Sequence, residues 1–197
     1  METIEVVDGY DPMMYARCVK TDAEIELLKR ATTVNEQAIC RSIKTWGPGM
    51  MWQDFNHEYH KSVIELGGFV RDPGAMVWGN PCGGDPAVTL HSRLDDFVME
   101  PGMNILFDCH GTLDLYCWDG GKTWVVDGDA TGDAKQYANA TADAATAVME
   151  AMRPGVTISD LQRVGRAVYR TNGVAGADDV LIFFHGLGLS HMELEQF

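Results

Sequence analysis

From Thr21 onward the chain alternates between apolar stripes at helical spacing and short runs with strand character. Ile25, Leu28, Ala31, Val34 and Ala38 recur every three or four residues, which predicts an apolar helix face running to about Trp46. Thr21 and Glu24 have the spacing of a capping box, in which each side chain satisfies a free backbone N–H of the first turn. Gly47-Pro48-Gly49 breaks this helix. Trp52, Phe55, Tyr59 and Val63 form the stripe of a second helix, closed by Gly67-Gly68. Alternating, β-rich segments then run from about Phe69 to Val126, punctuated by Gly79-Asn80-Pro81 and Pro101-Gly102. Two more helices are predicted at roughly Asp133–Met152 and Thr157–Thr171. The apolar run Val180–Phe184 reads as a strand leading into His185, and the first fifteen residues, with Asp8-Gly9 and Asp11-Pro12, as an irregular arm.

The pattern contains an echo. Pro48-Gly49-x4-Asp54-Phe55 returns 106 residues later as Pro154-Gly155-x4-Asp160-Leu161. Each copy follows a long helix, opens a shorter one that closes on glycine, and is followed by a strand. Two such units predict a pseudo-two-fold α/β (α+β) domain, with helices covering one face of a curved antiparallel sheet.

At 197 residues and 46% apolar, the chain can bury one good core, or two lobes sharing one. A formal charge of −14 argues against nucleic acid and against anionic membrane surfaces as partners. No basic region followed by an apolar stretch opens the chain at Met1, and no run is long enough to span a bilayer, so a cytoplasmic location is expected. The five cysteines (Cys18, Cys40, Cys82, Cys109 and Cys117) are odd in number and lack a C-x-x-C pair, which fits reduced thiols. Cys109 and Cys117 read as packing residues, with a thiolate ligand or nucleophile as the alternative.

The candidate chemistry lies in three separated residues. Asp108 and Asp119 are eleven residues apart on a predicted hairpin, and His185 opens the glycine-rich run HGLGLSH. A turn centred between Leu113 and Asp114 would set Asp108 opposite Asp119 with both side chains on one face. Facing carboxylates repel, whereas divalent cations turn that repulsion into coordination, and carboxylate with neutral imidazole suits Mn, Co, Fe or Zn. Taken singly, the acids also read as a solvated hairpin and His185 as a hydrogen-bonded core residue. Together they point to a metal site.

These residues resemble the motifs of the pita-bread metallohydrolases: methionine aminopeptidases, Xaa-Pro aminopeptidases, prolidases and creatinase. The catalytic domain of that family begins with an R-x-x-K-[ST]-x-x-E-I stretch, matched by Arg17, Lys20, Thr21, Glu24 and Ile25. Its first two ligands sit in D-x10-D, matched by Asp108 and Asp119, with Tyr116 before the second and Lys122-Thr123 after it. Its third is the histidine of H-G-x-G, which falls on His185, and a substrate-side histidine a little under twenty residues before the first aspartate falls on His91. The resemblance covers residues 17–197, leaving 1–16 as an N-terminal arm.

The resemblance implies a pita-bread catalytic domain of a metal-dependent hydrolase nearer the Xaa-Pro peptidases than methionine aminopeptidase. Asp108, Asp119 and His185 would hold two divalent metal ions (Mn, Co, Fe or Zn) that activate water against a peptide bond. His91 and His191 would be catalytic, stabilising charge on the scissile carbonyl or positioning the substrate amine. His110, Tyr116 and Glu193 would contact a small peptide or small polar substrate. His191 comes one position early for the family's second histidine, although Glu193 matches the glutamate that follows it. His110 stands where the family has a small residue, as an extra ligand, a substrate contact or a block. The family's two further glutamate ligands lie on strands beyond the histidine segment, and the sequence ends at Phe197 before them. An open sheet edge at Val180–Phe184, and association through it as a homodimer, is therefore expected. The alternatives are creatinase-like amidinohydrolase or lyase chemistry, or an inert binding module on the same fold.

Overall fold

The computed structural model describes residues 7–81, 89–182 and 184–196. The chain divides into two compact units, residues 1–126 with 185–195 and residues 127–184 with 196–197.

In the first unit, α1 (Tyr10–Cys18), α2 (Asp22–Thr45) and α3 (Trp52–Glu65) precede β1 (Phe69–Asn80), β2 (Leu90–His91), β3 (Asn104–Leu113), β4 (Tyr116–Asp119) and β5 (Lys122–Val125). These five strands form one antiparallel sheet in the order β2-β1-β3-β4. The long β3 pairs β4 with its C-terminal half and β5 with its N-terminal half. The core lies between helices and sheet: Ala31, Ala38 and Ile39 of α2 and Phe55, Tyr59 and Val63 of α3 meet Val77, Ile105, Phe107, Cys109 and Trp118. Burial of each large apolar side chain here contributes about 2 kcal/mol. The buried Cys109 and Cys117 are free thiols among the described residues.

The capping box forms as the sequence predicts, with Thr21 Oγ1 accepting from the backbone N–H of Glu24 and the Glu24 carboxylate from that of Thr21. Three expectations change. The arm expected to be irregular through residue 15 carries α1 instead, started by Asp8 Oδ1 accepting from the N–H of Tyr10 and anchored by the buried Met14. Pro12 stands in its first turn, where a missing N–H costs nothing. The strand expected over Val180–Phe184 begins only at Phe184: β6 (Phe184–Gly186) pairs β7 (Glu193–Gln196) in a two-stranded sheet, while Val180 and Ile182 pack on the neighbouring helices and Leu181 is exposed.

The third change bears on the site. The β3–β4 loop is Asp114-Leu115, with φ of 49° and 73°, so the turn centres one residue later than expected. Two positive φ angles define the tight turn whose twist matches a hairpin. His110, not Asp108, therefore stands opposite Asp119, with Gly111 opposite Trp118. Asp108 stays on the same face, two residues along β3.

In the second unit, α4 (Gly132–Ala151) packs on α5 (Ile158–Thr171) around Ala140, Ala144, Tyr169, Val174 and Ala177. Gly165 admits Ile182, since a Cβ there would lie 2.9 Å from its Cδ1. The echo holds locally. Gly49 and Gly155 have φ of 85° and 89°, and each is followed three residues on by a helix of 14 residues. No helix among the described residues is long and apolar enough to cross a membrane.

Candidate metal centre

A chain of buried hydrogen bonds fixes the end of β4. Trp118 Nε1–H donates to Tyr59 Oη (3.1 Å), Tyr59 O–H to Asn35 Oδ1 (2.8 Å), and Asn35 Nδ2–H to the Gly120 carbonyl (2.8 Å). Donor and acceptor alternate along the chain, so each bond polarises the next. α2, α3 and β4 are thereby tied together one residue beyond Asp119.

The histidine segment is held from the other side. Glu193 is 1% exposed and its carboxylate is shared between Arg17 and Lys20, with Lys20 Nζ at 2.7 Å from Oε2. Burial pushes the Glu193 carboxyl up, but Lys20 and Arg17 outweigh it and hold it below the usual carboxylate range. Gly186 and Gly188 lie directly over this residue. A Cβ on Gly186 would fall 2.0 Å from the Glu193 carbonyl, and one on Gly188 2.6 Å from Oε2. The glycines of the H-G-x-G run are there to admit Glu193, and Gly188 also accepts from the N–H of Cys117, fastening the segment to β4 at 2.7 Å.

Between these two supports lie alternating acids and imidazoles. Asp108 Oδ2 is 3.5 Å from His110 Nε2, His110 Nδ1 is 3.6 Å from Asp119 Oδ1, and Asp119 Oδ2 is 3.3 Å from His185 Nε2. His185 Nδ1–H donates to the Gly186 carbonyl at 2.8 Å, which leaves Nε2 to face Asp119. His191 packs edge-on to His110, with ring centroids 5.3 Å apart. One ligand atom each of His110, Asp119 and His191 lies within 4.8 Å of the others. His110 is 6% exposed, and neither of its ring nitrogens has a hydrogen bond. The Asp108 carboxylate raises its pKa against the opposing effect of burial, and Asp119 adds to the rise.

The spacing is informative. Charge-assisted hydrogen bonds between such groups run to about 2.9 Å. Metal–ligand bonds of about 2.1 Å put adjacent ligand atoms about 3.0–3.4 Å apart in octahedral or tetrahedral geometry, which the 3.3 Å contact of Asp119 with His185 matches. The donor set is oxygen and imidazole nitrogen, one of its imidazoles is buried without a hydrogen bond, and the residues fit a divalent cation.

Of the remaining residues singled out in the sequence, the structure engages three elsewhere. His91 pairs with Trp78 across β1–β2 and packs on its ring at 4.8 Å, and its Nδ1 accepts from the N–H of Arg93. Tyr116 O–H donates to Glu24 at 2.8 Å. Glu193 is enclosed by Arg17 and Lys20, so the R-x-x-K pair and the glutamate after the histidine run are two ends of one ion-pair cluster, which spacing along the chain does not reveal. Beside Asp108 opens a recess lined by Phe107, Gly121, Lys122 and Thr123.

Residues 26–196 match the model of metallopeptidase family M24, and the chain belongs to that family. Divalent metal is the cofactor of M24 metallopeptidases. The Xaa-Pro dipeptidase of Pongo abelii is 24% identical over 178 residues, covering 86% of this chain and 36% of its own length. An uncharacterised peptidase of Staphylococcus aureus is 22% identical over 179 residues, covering 91% and 49%. The X-Pro aminopeptidase of Thermotoga maritima superposes with a TM-score of 0.75 at 24% identity, over 93% of this chain and 50% of that one. Escherichia coli aminopeptidase P in complex with substrate gives 0.77 at 21% identity, over 95% and 46%. The fold is the pita-bread fold of these peptidases, and the chain spans half or less of the length of these relatives.

Proposed function

We propose that the chain carries the metal-holding part of a hydrolase of the Xaa-Pro peptidase type, acting on a small peptide. Asp108, Asp119 and His185 hold two divalent cations (Mn, Co, Fe or Zn). When bound, such ions supply Lewis acidity and bring the pKa of water toward neutrality. The chain's own residues prepare the place. Asp119 directs Oδ1 and Oδ2 toward different imidazoles, so one carboxylate serves two positions. The Gly186 carbonyl accepts from His185 Nδ1–H and so orients the ring with Nε2 toward Asp119. Glu193 acts as a positioning residue, keeping the HGLG segment against β4 through Arg17 and Lys20. His191 and His91 serve the substrate side, where an imidazole N–H stabilises charge on the scissile carbonyl.

The observation that carries this reading is the 3.3 Å contact of Asp119 Oδ2 with His185 Nε2 in a member of a metallopeptidase family. A second reading, amidinohydrolase or lyase chemistry on a small polar substrate, draws on the buried His110 between the two acids. Turnover of Xaa-Pro dipeptides beside a panel of small zwitterions, after metal loading, separates the two. The peptidase reading expects hydrolysis of the dipeptides, lowered more than about a hundredfold by Asp119→Asn. Turnover confined to the zwitterions, or undiminished in the variant, overturns it.

A further inference from the structure

We propose that His110, Asp119 and His191 form a nitrogen-rich cation site of their own, sharing Asp119 with the site of Asp108 and His185 and taking a zinc- or copper-like ion in preference to manganese or magnesium. The inference rests on the hydrolase reading for that shared carboxylate, and it gives His191 a ligand's place where that reading gives it a substrate-side one.

Three observations carry it. Ligand atoms of the three residues fall within 4.8 Å of one another, close enough to converge on one ion with small side-chain adjustments. His110 is almost wholly buried, and its two nitrogens stand 3.5 and 3.6 Å from the carboxylates of Asp108 and Asp119, a polar ring set in the interior between two acids. The two nitrogens also divide the work. Nε2 faces Asp108 Oδ2 while Nδ1 faces Asp119 Oδ1. That is the arrangement of a metal-bound histidine whose second nitrogen is oriented by a carboxylate.

The choice of ion follows from the donors. Two imidazoles and one carboxylate are softer than the acid-rich sets preferred by manganese or magnesium, and imidazole suits Zn and Cu. Asp119 Oδ1 belongs to this site and Oδ2 to the His185 side, so the carboxylate bridges two positions. His191 needs no rearrangement of the fold to take part, because Glu193 two residues on is pinned by Arg17 and Lys20.

The test is titration of the metal-free full chain with Cu²⁺, read by electron paramagnetic resonance for nitrogen couplings, and with Zn²⁺, read by calorimetry. The expected result is a tight Cu²⁺ equivalent coupled to two imidazoles. His110→Ala and His191→Ala should each remove one coupling and weaken Zn²⁺ at least about tenfold, with the circular dichroism of the chain retained. His191→Ala, outside the core, keeps the test open should His110→Ala fail to fold. Unchanged couplings and affinity in His191→Ala, with loss in His185→Ala, would overturn the proposal and leave the hydrolase site standing. Loss in His191→Ala with none in His185→Ala would support it and count against that hydrolase site. A chain that takes neither ion overturns both.

Discussion

Asp119 Oδ2 lies 3.3 Å from His185 Nε2, and the other nitrogen of His185 is committed to the Gly186 carbonyl. With Nδ1 so engaged, Nε2 is the nitrogen that faces Asp119 Oδ2, and the two atoms are placed to share a cation. A metal that binds the folded chain and not the unfolded one adds stability as RT ln(1 + [L]/Kd), about 2.7 kcal/mol at a hundred times Kd. Mn²⁺ or Zn²⁺ should therefore raise the melting temperature reversibly on chelation, and His185→Ala should remove most of that rise. An equal rise in the variant would place the bound ion elsewhere.

Glu193 is the keystone of the histidine segment. Glu193→Gln keeps the shape of the side chain but leaves the cations of Arg17 and Lys20 without a counter-charge in a mostly buried setting. Breaking such a pair costs about 3 kcal/mol, at the low end because Arg17 is partly exposed. Urea denaturation should show that loss. A change below about 0.5 kcal/mol would show that the cluster is not holding the segment.

Leu115 sits at φ 73° at the tip of the β3–β4 hairpin, 76% exposed and with no burial to offset the strain. A non-glycine residue in the left-handed region costs about 1 kcal/mol. Leu115→Gly should stabilise the chain by roughly that amount and leave the register of His110 against Asp119 intact, since Asp-Gly is the preferred sequence for this turn. A thermal melt checks it, and destabilisation would count against the turn assignment.

The same residue shows why the register was not legible in the sequence. Asp114-Leu115 carries no glycine or asparagine signal, so the turn could be centred one residue early, and His110 was thereby displaced from its place across from Asp119. The elements themselves were legible wherever local physics decided them. The Thr21–Glu24 box, the stripes of α2 and α3, and the twin Pro-Gly turns all depend on neighbours in the chain. Partners from distant segments were not legible. Arg17 and Glu193 are 176 residues apart. Met14 anchors α1, and Ile182 gives up strand pairing to pack against Gly165. In the candidate site, the motif singles out Asp108, Asp119 and His185 as candidates, whereas the burial of His110 beside Asp108 and Asp119 is a property of the folded sheet.

Glu24 titrates with the cap it completes. Hydrogen bonds from the backbone and side chain of Thr21, then from Tyr116, lower its pKa from 4.5 to about 2. A carboxyl depressed on folding contributes stability that is complete above its unfolded pKa and is lost as the pH falls through the folded value. The window is therefore pH 4.5 down to about 2. Glu24→Gln keeps the capping geometry without the charge. Stability measured across that window should fall less steeply in the variant than in the parent chain, and identical slopes would remove Glu24 from the acid response.

The most direct test of the central claim is the metal content of the chain, by elemental analysis after equilibration with Mn, Co, Fe or Zn and removal of excess. Asp108, Asp119 and His185 predict retained divalent metal at up to about two equivalents, sharply reduced in Asp108→Asn and in Asp119→Asn. No retained metal, or the same content in both variants, would contradict the account.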